Sequence, residues 1–376
     1  MDKCRLCGAV LRGKPVYVLN NMPKSAQFFP KYEELENERG IDIILYQCDY
    51  CGHIQAAGAP VPYYKDVIRA TAVSGEMKAF RSKQFHDFIT EYSLEGKKIV
   101  EIGAAAGDYL SVMAQENIDA YGLEHSEESV KKAEKSGLKM ICGFVEDEEY
   151  SISGAPYDAF YIMNYLEHIP DPSAFLRGIA NNLCDEGVGI VEVPNFDMML
   201  KENLYSEFIQ DHLSYFTEDT LRTVLVKSGF EVLDLKVIWH DYIISAVVRK
   251  RKKLDLLPME RQRKKLYDIV HKYVKNCEEK GLKIAAWGAG HQALATIALL
   301  ELDKHLSVVL DSADFKQNLY TPATHIPVVA PDKIKELGIG AVIIMAGSYS
   351  EEIGRIMDKN YPEAEWVILG SDGLIK

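Results

Sequence analysis

Long apolar runs are missing from this sequence of 376 residues. No stretch reaches the roughly 18 apolar residues that mark a membrane-spanning helix, so none is expected and no membrane partner with it. The opening Met1-Asp2-Lys3-Cys4-Arg5 has no apolar signal region, which sets the expectation of a cytoplasmic protein with reduced thiols. Positive charge is scarce. Against 56 Asp and Glu stand 43 Lys and Arg, and the net charge of -13 argues against nucleic acid as a main partner, because phosphate binding needs a basic surface. What remains is a chain with 47% hydrophobic residues, enough for substantial cores, and too long for one typical domain.

The chain is organised around Ile99 to Gly107, IVEIGAAAG. Lys98 to Ile102 predicts a buried parallel strand, Gly103 to Gly107 a tight turn, and Asp108 to Met113 the start of a helix. That is the opening of an α/β nucleotide-binding sheet, whose ligands sit outside the carboxyl ends of the strands. The spacing is not the G-x-G-x-x-G of dinucleotide binders. It is E-x-G-x-x-x-G, with Glu101, Gly103 and Gly107. An acid before the glycines repels a pyrophosphate and suits an ammonium. A second acid, Glu124, ends the next apolar run and has the position to accept both ribose hydroxyls. An amino acid joined to a ribose without phosphate is S-adenosylmethionine. The plainer alternative is an ordinary buried βα unit.

Seven cysteines are present, and four pair off by spacing. Cys4-Arg5-Leu6-Cys7-Gly8 and Cys48-Asp49-Tyr50-Cys51-Gly52 are two C-x-x-C-G knuckles, which together supply four soft ligands for a closed structural Zn2+ site. A loop from about Asn20 to Gly40 must pack between them, and His53 is expected to pack rather than to ligate. The proline-broken Ala59 to Tyr64 ends this module, giving boundaries of 1–62 for it, 63–249 for the central domain and 250–376 for the rest. Tyr63, Tyr64 and Arg69 precede a helix from Ser74 to Tyr92 and have the place of a lid over a cofactor cleft.

Further along, Ser126 to Ser136 predicts a helix and Lys139 to Cys142 a strand, with Cys142 expected as a small buried residue. Phe144 after that strand is positioned to stack on an adenine. Ala104, Gly107, His125, Val145 and Asn164 complete the expected cofactor set around Glu101, Gly103, Glu124 and Phe144. The strand Tyr157 to Met163 aims a polar cluster, Asn164 to His168, at the same sheet edge as Gly103. His168 either touches a ligand or caps the next helix, expected from Ser173 to Leu183; a glycine turn and the strand Gly189 to Asn195 follow. Phe208 to Thr217 embeds Asp211 and His212 among aromatics. Histidine suits a base there because it titrates near neutrality, although a single such residue is more often structural.

After the basic run Arg249 to Lys253 and a long helix from Leu254 to Glu279, the opening logic repeats. The strand Lys283 to Trp287 leads into Gly288-Ala289-Gly290-His291-Gln292-Ala293 and a helix from Leu294 to Leu300. Asp311 ends the next strand, 21 residues after Gly290, so taken alone this is a dinucleotide-binding fingerprint. No Tyr-x-x-x-Lys pair follows it, which counts against an NAD-dependent oxidoreductase. A non-enzymatic zinc-ribbon module with degenerate α/β domains is disfavoured by the intact E-x-G-x-x-x-G and Glu124.

The order of parts resembles one family. Two C-x-x-C-G knuckles, the glycine-turn core, His212-Leu213-Ser214-Tyr215-Phe216, Trp287-Gly288-Ala289-Gly290 and Tyr320-Thr321-Pro322 with His325-Ile326-Pro327 are similar to the sugar C-methyltransferases that act on dTDP-linked 4-keto deoxysugars. The resemblance covers nearly the whole chain. It implies an α/β fold: a class I (Rossmann-like) methyltransferase core, an N-terminal zinc-binding module and a second Rossmann-like α/β domain at the C-terminus. It implies structural zinc on Cys4, Cys7, Cys48 and Cys51, S-adenosylmethionine on the middle domain, and a small-molecule nucleotide sugar in the cleft beside the C-terminal domain. Tyr63, Tyr64, Gly288, Gly290, His291, Lys316 and Tyr320 are the expected substrate contacts, and the chain is expected as a monomer or weak homodimer. Under this resemblance His212 removes the proton beside the ketone, supported by Asp211 and His168, and the enolate attacks the methyl group. The family's segment is roughly Y-H-E-H-L-S-Y-F. Here the acid is shortened to Asp211 and the tyrosine is replaced by Ile209, while His291, Gln292 and Ala293 stand where the family usually has a lysine and an asparagine. A changed polar set fits a changed sugar or a changed acceptor atom, so O- or N-methylation of a related sugar or small metabolite is the alternative.

Overall fold

The structure is a computed structural model that describes residues 3–24, 29–65 and 73–376. Arg69, expected in the lid, and part of the expected 20–40 loop lie outside the described residues. The chain divides into two units, Met1–Lys252 and Lys253–Lys376.

In chain order the first unit runs β1 (Tyr17–Met22), β2 (Ile41–Gln47), β3 (Ile54–Ala56), α1 (Gly75–Glu91), β4 (Lys98–Ile102), α2 (Leu110–Met113), β5 (Asp119–Glu124), α3 (Glu127–Lys135), β6 (Lys139–Cys142), β7 (Tyr157–Met163), α4 (Pro172–Asn181), β8 (Leu183–Pro194), α5 (Phe196–Lys201), β9 (Ser214–Tyr215), α6 (Glu218–Lys227), β10 (Phe230–Ile238) and β11 (Ile243–Lys250). Seven of these strands form one sheet in the order β10-β11-β8-β7-β4-β5-β6. The strands from β8 to β6 are mutually parallel, and β11 is antiparallel to both its neighbours. The order reverses between β4 and β7, and such a switch point opens a crevice at the carboxyl edge.

The parallel strands carry continuous apolar runs because helices cover both faces. Ile99, Val100, Phe160, Ile162, Ile190 and Val191 are essentially excluded from solvent. The helix α1 starts where the Ser74 side chain accepts the Met77 N–H, and it buries Phe85, Phe88 and Ile89. It also buries Arg81, whose guanidinium lies 2.6 Å from the Glu192 carboxylate, both side chains fully buried. Removing one partner of such a pair strands a charge, at a cost of about 3–5 kcal/mol.

Two features depart from expectation. The strand β8 begins at Leu183, and where a glycine turn was expected it carries an irregularity, with Glu186 at φ 65°. Cys142 is exposed rather than buried. It sits on β6, the edge strand of the sheet, where an alternate side chain has no neighbour to cover it.

A second, four-stranded sheet has the order β1-β2-β3-β9. Three strands come from the cysteine-bearing segment. The fourth, β9, belongs to the His212 region, and its residues Tyr215 and Ser214 pair with Ile54 and Gln55 of β3.

The second unit runs α7 (Leu257–Glu279), β12 (Lys283–Trp287), α8 (His291–Leu299), β13 (Leu306–Leu310), β14 (Val328–Val329), β15 (Ile339–Ile344), α9 (Ser350–Asn360), β16 (Glu365–Leu369) and β17 (Leu374–Ile375). Its sheet order is β14-β13-β12-β15-β16-β17, again with a reversal beside the strand that carries the glycine turn. Here α8 begins at His291, three residues before the expected start, because Gly290 is its extended N-cap.

Candidate active site

The turn after β4 needs left-handed backbone at alternate positions. Gly103, Ala105 and Gly107 have φ of 78°, 49° and 84°. At Gly107 a Cβ would lie 2.4 Å from Leu138 Cδ1, so the turn is closed by packing as well as by conformation. Glu124, buried at the end of β5, latches it: Oε2 accepts the Ala105 N–H and Oε1 the Ser126 N–H, both at 2.8 Å. A carboxylate has about four lone-pair directions, so hydroxyl donors can still be accepted. Gly103, His125, Phe144 and Val145 line one cavity together with Lys65 and Tyr165. Phe144 is held edge-on by Tyr64 at 5.9 Å, and the Lys65 ammonium lies 4.9 Å from its ring centre. Glu101 is buried beneath the turn and accepts the Tyr161 hydroxyl at 3.1 Å. Ala104 faces the sheet instead, its N–H bonded to Leu123 O and its methyl against Gly122. Asn164, at φ 49° after β7, has its Oδ1 buried without a partner.

The carboxyl end of β7 meets the His212 segment. Leu213 N–H donates to Glu167 O at 2.9 Å, and Ala56 N–H to Leu213 O at 3.0 Å, so the segment is strung between β3 and the Leu166–His168 turn. Ser214 Oγ lies 3.1 Å from His53 Nε2, which fixes the same strand from the second knuckle. The rings of His168 and His212 meet edge-to-face at 4.8 Å. His168 Nδ1 donates to the Asp211 carbonyl at 3.0 Å, and the Tyr63 hydroxyl to Asp211 Oδ1 at 2.9 Å. Desolvation, with His168 beside it, holds the His212 imidazole well below the usual histidine range, and desolvation lowers His168 too. Both rings are therefore neutral near pH 7. Glu167, almost fully buried, is pushed up to about 8 by desolvation.

Comparison with known proteins matches these parts to names. Residues 77–235 match the profile of a methyltransferase domain, and residues 258–368 that of a C-methyltransferase C-terminal domain. The chain is 23% identical over 287 residues to C-methyltransferase NovU of Streptomyces niveus, covering 69% of this chain and 68% of that one. The chain belongs to the C-methyltransferases. It is an S-adenosylmethionine-dependent enzyme with a class I methyltransferase core. A ubiquinone biosynthesis O-methyltransferase of Bordetella avium is 34% identical over 93 residues, but the match spans only 39% of that protein and 23% of this one. Among solved structures, an S-adenosylmethionine-dependent methyltransferase from Clostridium acetobutylicum is 14% identical with a TM-score of 0.39, covering 46% of this chain and 92% of that one.

Two more clusters complete the C-methyltransferase. Cys4, Cys7, Cys48 and Cys51 bring their sulfurs within 4.8 Å of one another, with cross-knuckle pairs Cys4–Cys51 and Cys7–Cys48 at 3.5 Å. In the second unit Gly288, Gly290, His291 and Lys316 line one cavity with Gln292 and Tyr349; the exposed Tyr320 is not part of it. Asp311 is latched as Glu124 is, Oδ2 accepting from Ala289 N–H at 2.8 Å and Oδ1 from Ala313 N–H at 2.9 Å. The Lys316 ammonium, 3.1 Å away, joins the two backbone donors in lowering the Asp311 carboxyl below its usual range, against the effect of burial. Tyr165 and Glu167 belong to the polar cluster expected at this edge, though neither was given a role of its own; Lys65 was not anticipated and reaches the cavity through tertiary packing that no local spacing announces.

Proposed function

We propose that this C-methyltransferase methylates the carbon beside the ketone of a nucleotide-linked deoxysugar, with His212 as the base. The observation that carries this reading is the seating of a neutral imidazole at the carboxyl edge of the sheet, backed by His168 and by Asp211, which holds the Tyr63 hydroxyl. A proton α to a carbonyl requires a base that is unprotonated at neutral pH. His212 takes that proton, and the electron pair of the C–H bond passes into the enolate. Bound S-adenosylmethionine supplies an electrophilic methyl group on its sulfonium. The acids Glu101 and Glu124 suit its ammonium and ribose diol, Gly103 gives bare backbone, and Phe144 presents a ring to the adenine. Holding the carbanion in line with the methyl group supplies the rest through proximity.

The four thiols fit a zinc ion by the chemistry of the donor set and by spacing. Bonds of about 2.3 Å in a tetrahedron put sulfurs about 3.8 Å apart, close to the 3.5 Å of the cross-knuckle pairs. Cys4, Cys7, Cys48 and Cys51 would hold it as a structural ion that fixes the knuckles, and through β3 and β9 the His212 segment. The cavity at Gly288, Gly290, His291 and Lys316 suits the nucleotide portion of the substrate, and a cytoplasmic setting suits free thiols. The replacement of the family's tyrosine by Ile209 favours one second reading, methyl transfer to an oxygen or nitrogen of a related sugar.

Carbon-13 methyl-labelled S-adenosylmethionine incubated with a panel of nucleotide-linked keto-sugars decides between them. A product methyl resonating as carbon-bound supports enolate chemistry. A methyl on oxygen or nitrogen overturns the base role of His212 at carbon.

A further inference from the structure

The hairpin joining β10 and β11 holds a run of unfavourable backbone. Trp239, His240 and Asp241 are consecutive and all left-handed, with φ of 49°, 55° and 61°. Histidine and aspartate tolerate that region better than most residues, but bulky tryptophan does not. Such conformations persist only where the surroundings over-determine them, and they gather at ligand sites. This hairpin is at the edge where ligands sit: Ile243, the first residue of β11, pairs with Pro194, the last of β8.

The fixings are specific. Tyr242 N–H donates to Trp239 O at 3.1 Å and closes the turn. The buried Asn195 grips it twice, its N–H donating to Tyr242 O and its Nδ2 to Asp241 O, both at 2.8 Å. The Trp239 ring lies 5.1 Å from that of Phe80 on α1. What the strained turn sets in place is Tyr242, whose hydroxyl donates to Glu207 Oε2 at 2.7 Å. Asn195 also caps α5, its Oδ1 accepting from the Asp197 and Met198 N–H groups, and α5 leads toward Glu207. One residue therefore registers both halves of the pair.

Glu207 and Tyr242 are half-buried, and they stand beside the His212 cluster. Burial raises the Tyr242 phenol, with Glu207 and then Glu167 adding to the rise, so Tyr242 remains a donor at neutral pH. Burial likewise raises Tyr215, with Asp211 and Glu207 adding to it, and the Tyr215 ring is 6.0 Å from that of His212. Among the described residues nothing donates to the other oxygen, Glu207 Oε1. A carboxylate with one oxygen pinned and the other open accepts hydroxyl groups. Its charge repels a diphosphate, so it suits the neutral ring of a nucleotide sugar and not the nucleotide.

We propose that Glu207, oriented by Tyr242, accepts a hydroxyl of the acceptor's sugar ring and so selects hydroxylated rings over their deoxy counterparts. Tyr242 is a positioning residue, and the left-handed turn keeps it in place. The inference rests on the nucleotide-sugar reading and leaves His212 as the base.

The test crosses the protein with the substrate. The probes are the dTDP-linked 4-keto sugar that the parent methylates fastest and its monodeoxy analogues, one for each ring hydroxyl. The parent is expected to lose about 10–100-fold in kcat/KM with one analogue. Glu207→Ala, reduced by a similar factor on the full sugar, should lose no more than about twofold further with that analogue, because the two changes remove the same contact. Glu207→Gln, which keeps the shape, should give the same pattern in weaker form. Tyr242→Phe should raise KM at nearly constant kcat. All three variants should bind S-adenosylhomocysteine as the parent does, which shows they are folded. Losses from Glu207→Ala and from each missing hydroxyl that multiply, or a Glu207→Ala enzyme with the parent's KM, overturn the proposal and leave the nucleotide-sugar reading standing. A parent that accepts no sugar in the panel overturns both.

Discussion

The two glycine turns of this chain are built alike and differ in what surrounds them. In each, an acid at the end of the second strand accepts one N–H from the glycine turn and one from two residues beyond itself: Glu124 from Ala105 and Ser126, Asp311 from Ala289 and Ala313. In the first turn Gly107 is packed against Leu138, and Phe144, held edge-on by Tyr64, lines the cavity that Gly103 also lines. In the second, Gly290 has open space around it and ordinary φ, and Lys316 sits on the acid. An acid already paired with a lysine is poorly placed to receive a ribose diol. The shared latch is therefore a feature of the fold, and the closely packed turn beside an aromatic wall is the feature that suits a cofactor site.

Removing the ion proposed for the four thiols should have the largest effect and reaches only the first unit's machinery. A strong chelator is expected to unfold the segment up to β3, and with it β9, since structural zinc contributes folding energy outright. Hydrogen exchange would show loss of protection there, turnover would disappear, and S-adenosylhomocysteine would still bind; a metal-free protein with full turnover would refute the role given to the cysteines. Next is His212→Asn, expected to lower turnover by about 10²–10⁴ with cofactor affinity unchanged, read from steady-state rates.

The latches themselves can be set against each other. Glu124→Gln and Asp311→Asn should each lose about 1–3 kcal/mol of stability, because one backbone N–H in each turn is left facing an amide donor. Only Glu124→Gln should also weaken S-adenosylhomocysteine. Equal weakening by both would erase the distinction. The smallest contrast is in the glycines: Gly107→Ala, at φ 84° with Leu138 in the way, is expected to cost about 2 kcal/mol, and Gly290→Ala to stay within about 0.5 kcal/mol, by denaturant melts.

Much of this was legible because it is local. E-x-G-x-x-x-G with Glu124, the paired C-x-x-C-G knuckles and the G-x-G-x-x-A turn each declare themselves within a few residues, and strand-turn-helix periodicity places them on a sheet edge. What escaped depends on partners far apart in the chain. The pairing of Ile54 and Gln55 with Tyr215 and Ser214 joins the cysteine module to the His212 segment, and nothing in either stretch announces it. Tyr63 was placed as a lid residue; its hydrogen bond to Asp211 arises only in the fold. Cys142 was misjudged because an apolar run does not say whether its strand is central or at the edge.

The most direct test of the cofactor turn is a calorimetric titration of S-adenosylhomocysteine into the parent, Gly103→Val and Gly290→Val, each first shown to melt cooperatively. One site per chain in the parent, absent from Gly103→Val and unchanged in Gly290→Val, is the predicted result. Binding retained by Gly103→Val, or lost from Gly290→Val, would contradict the assignment of the cofactor to the first turn.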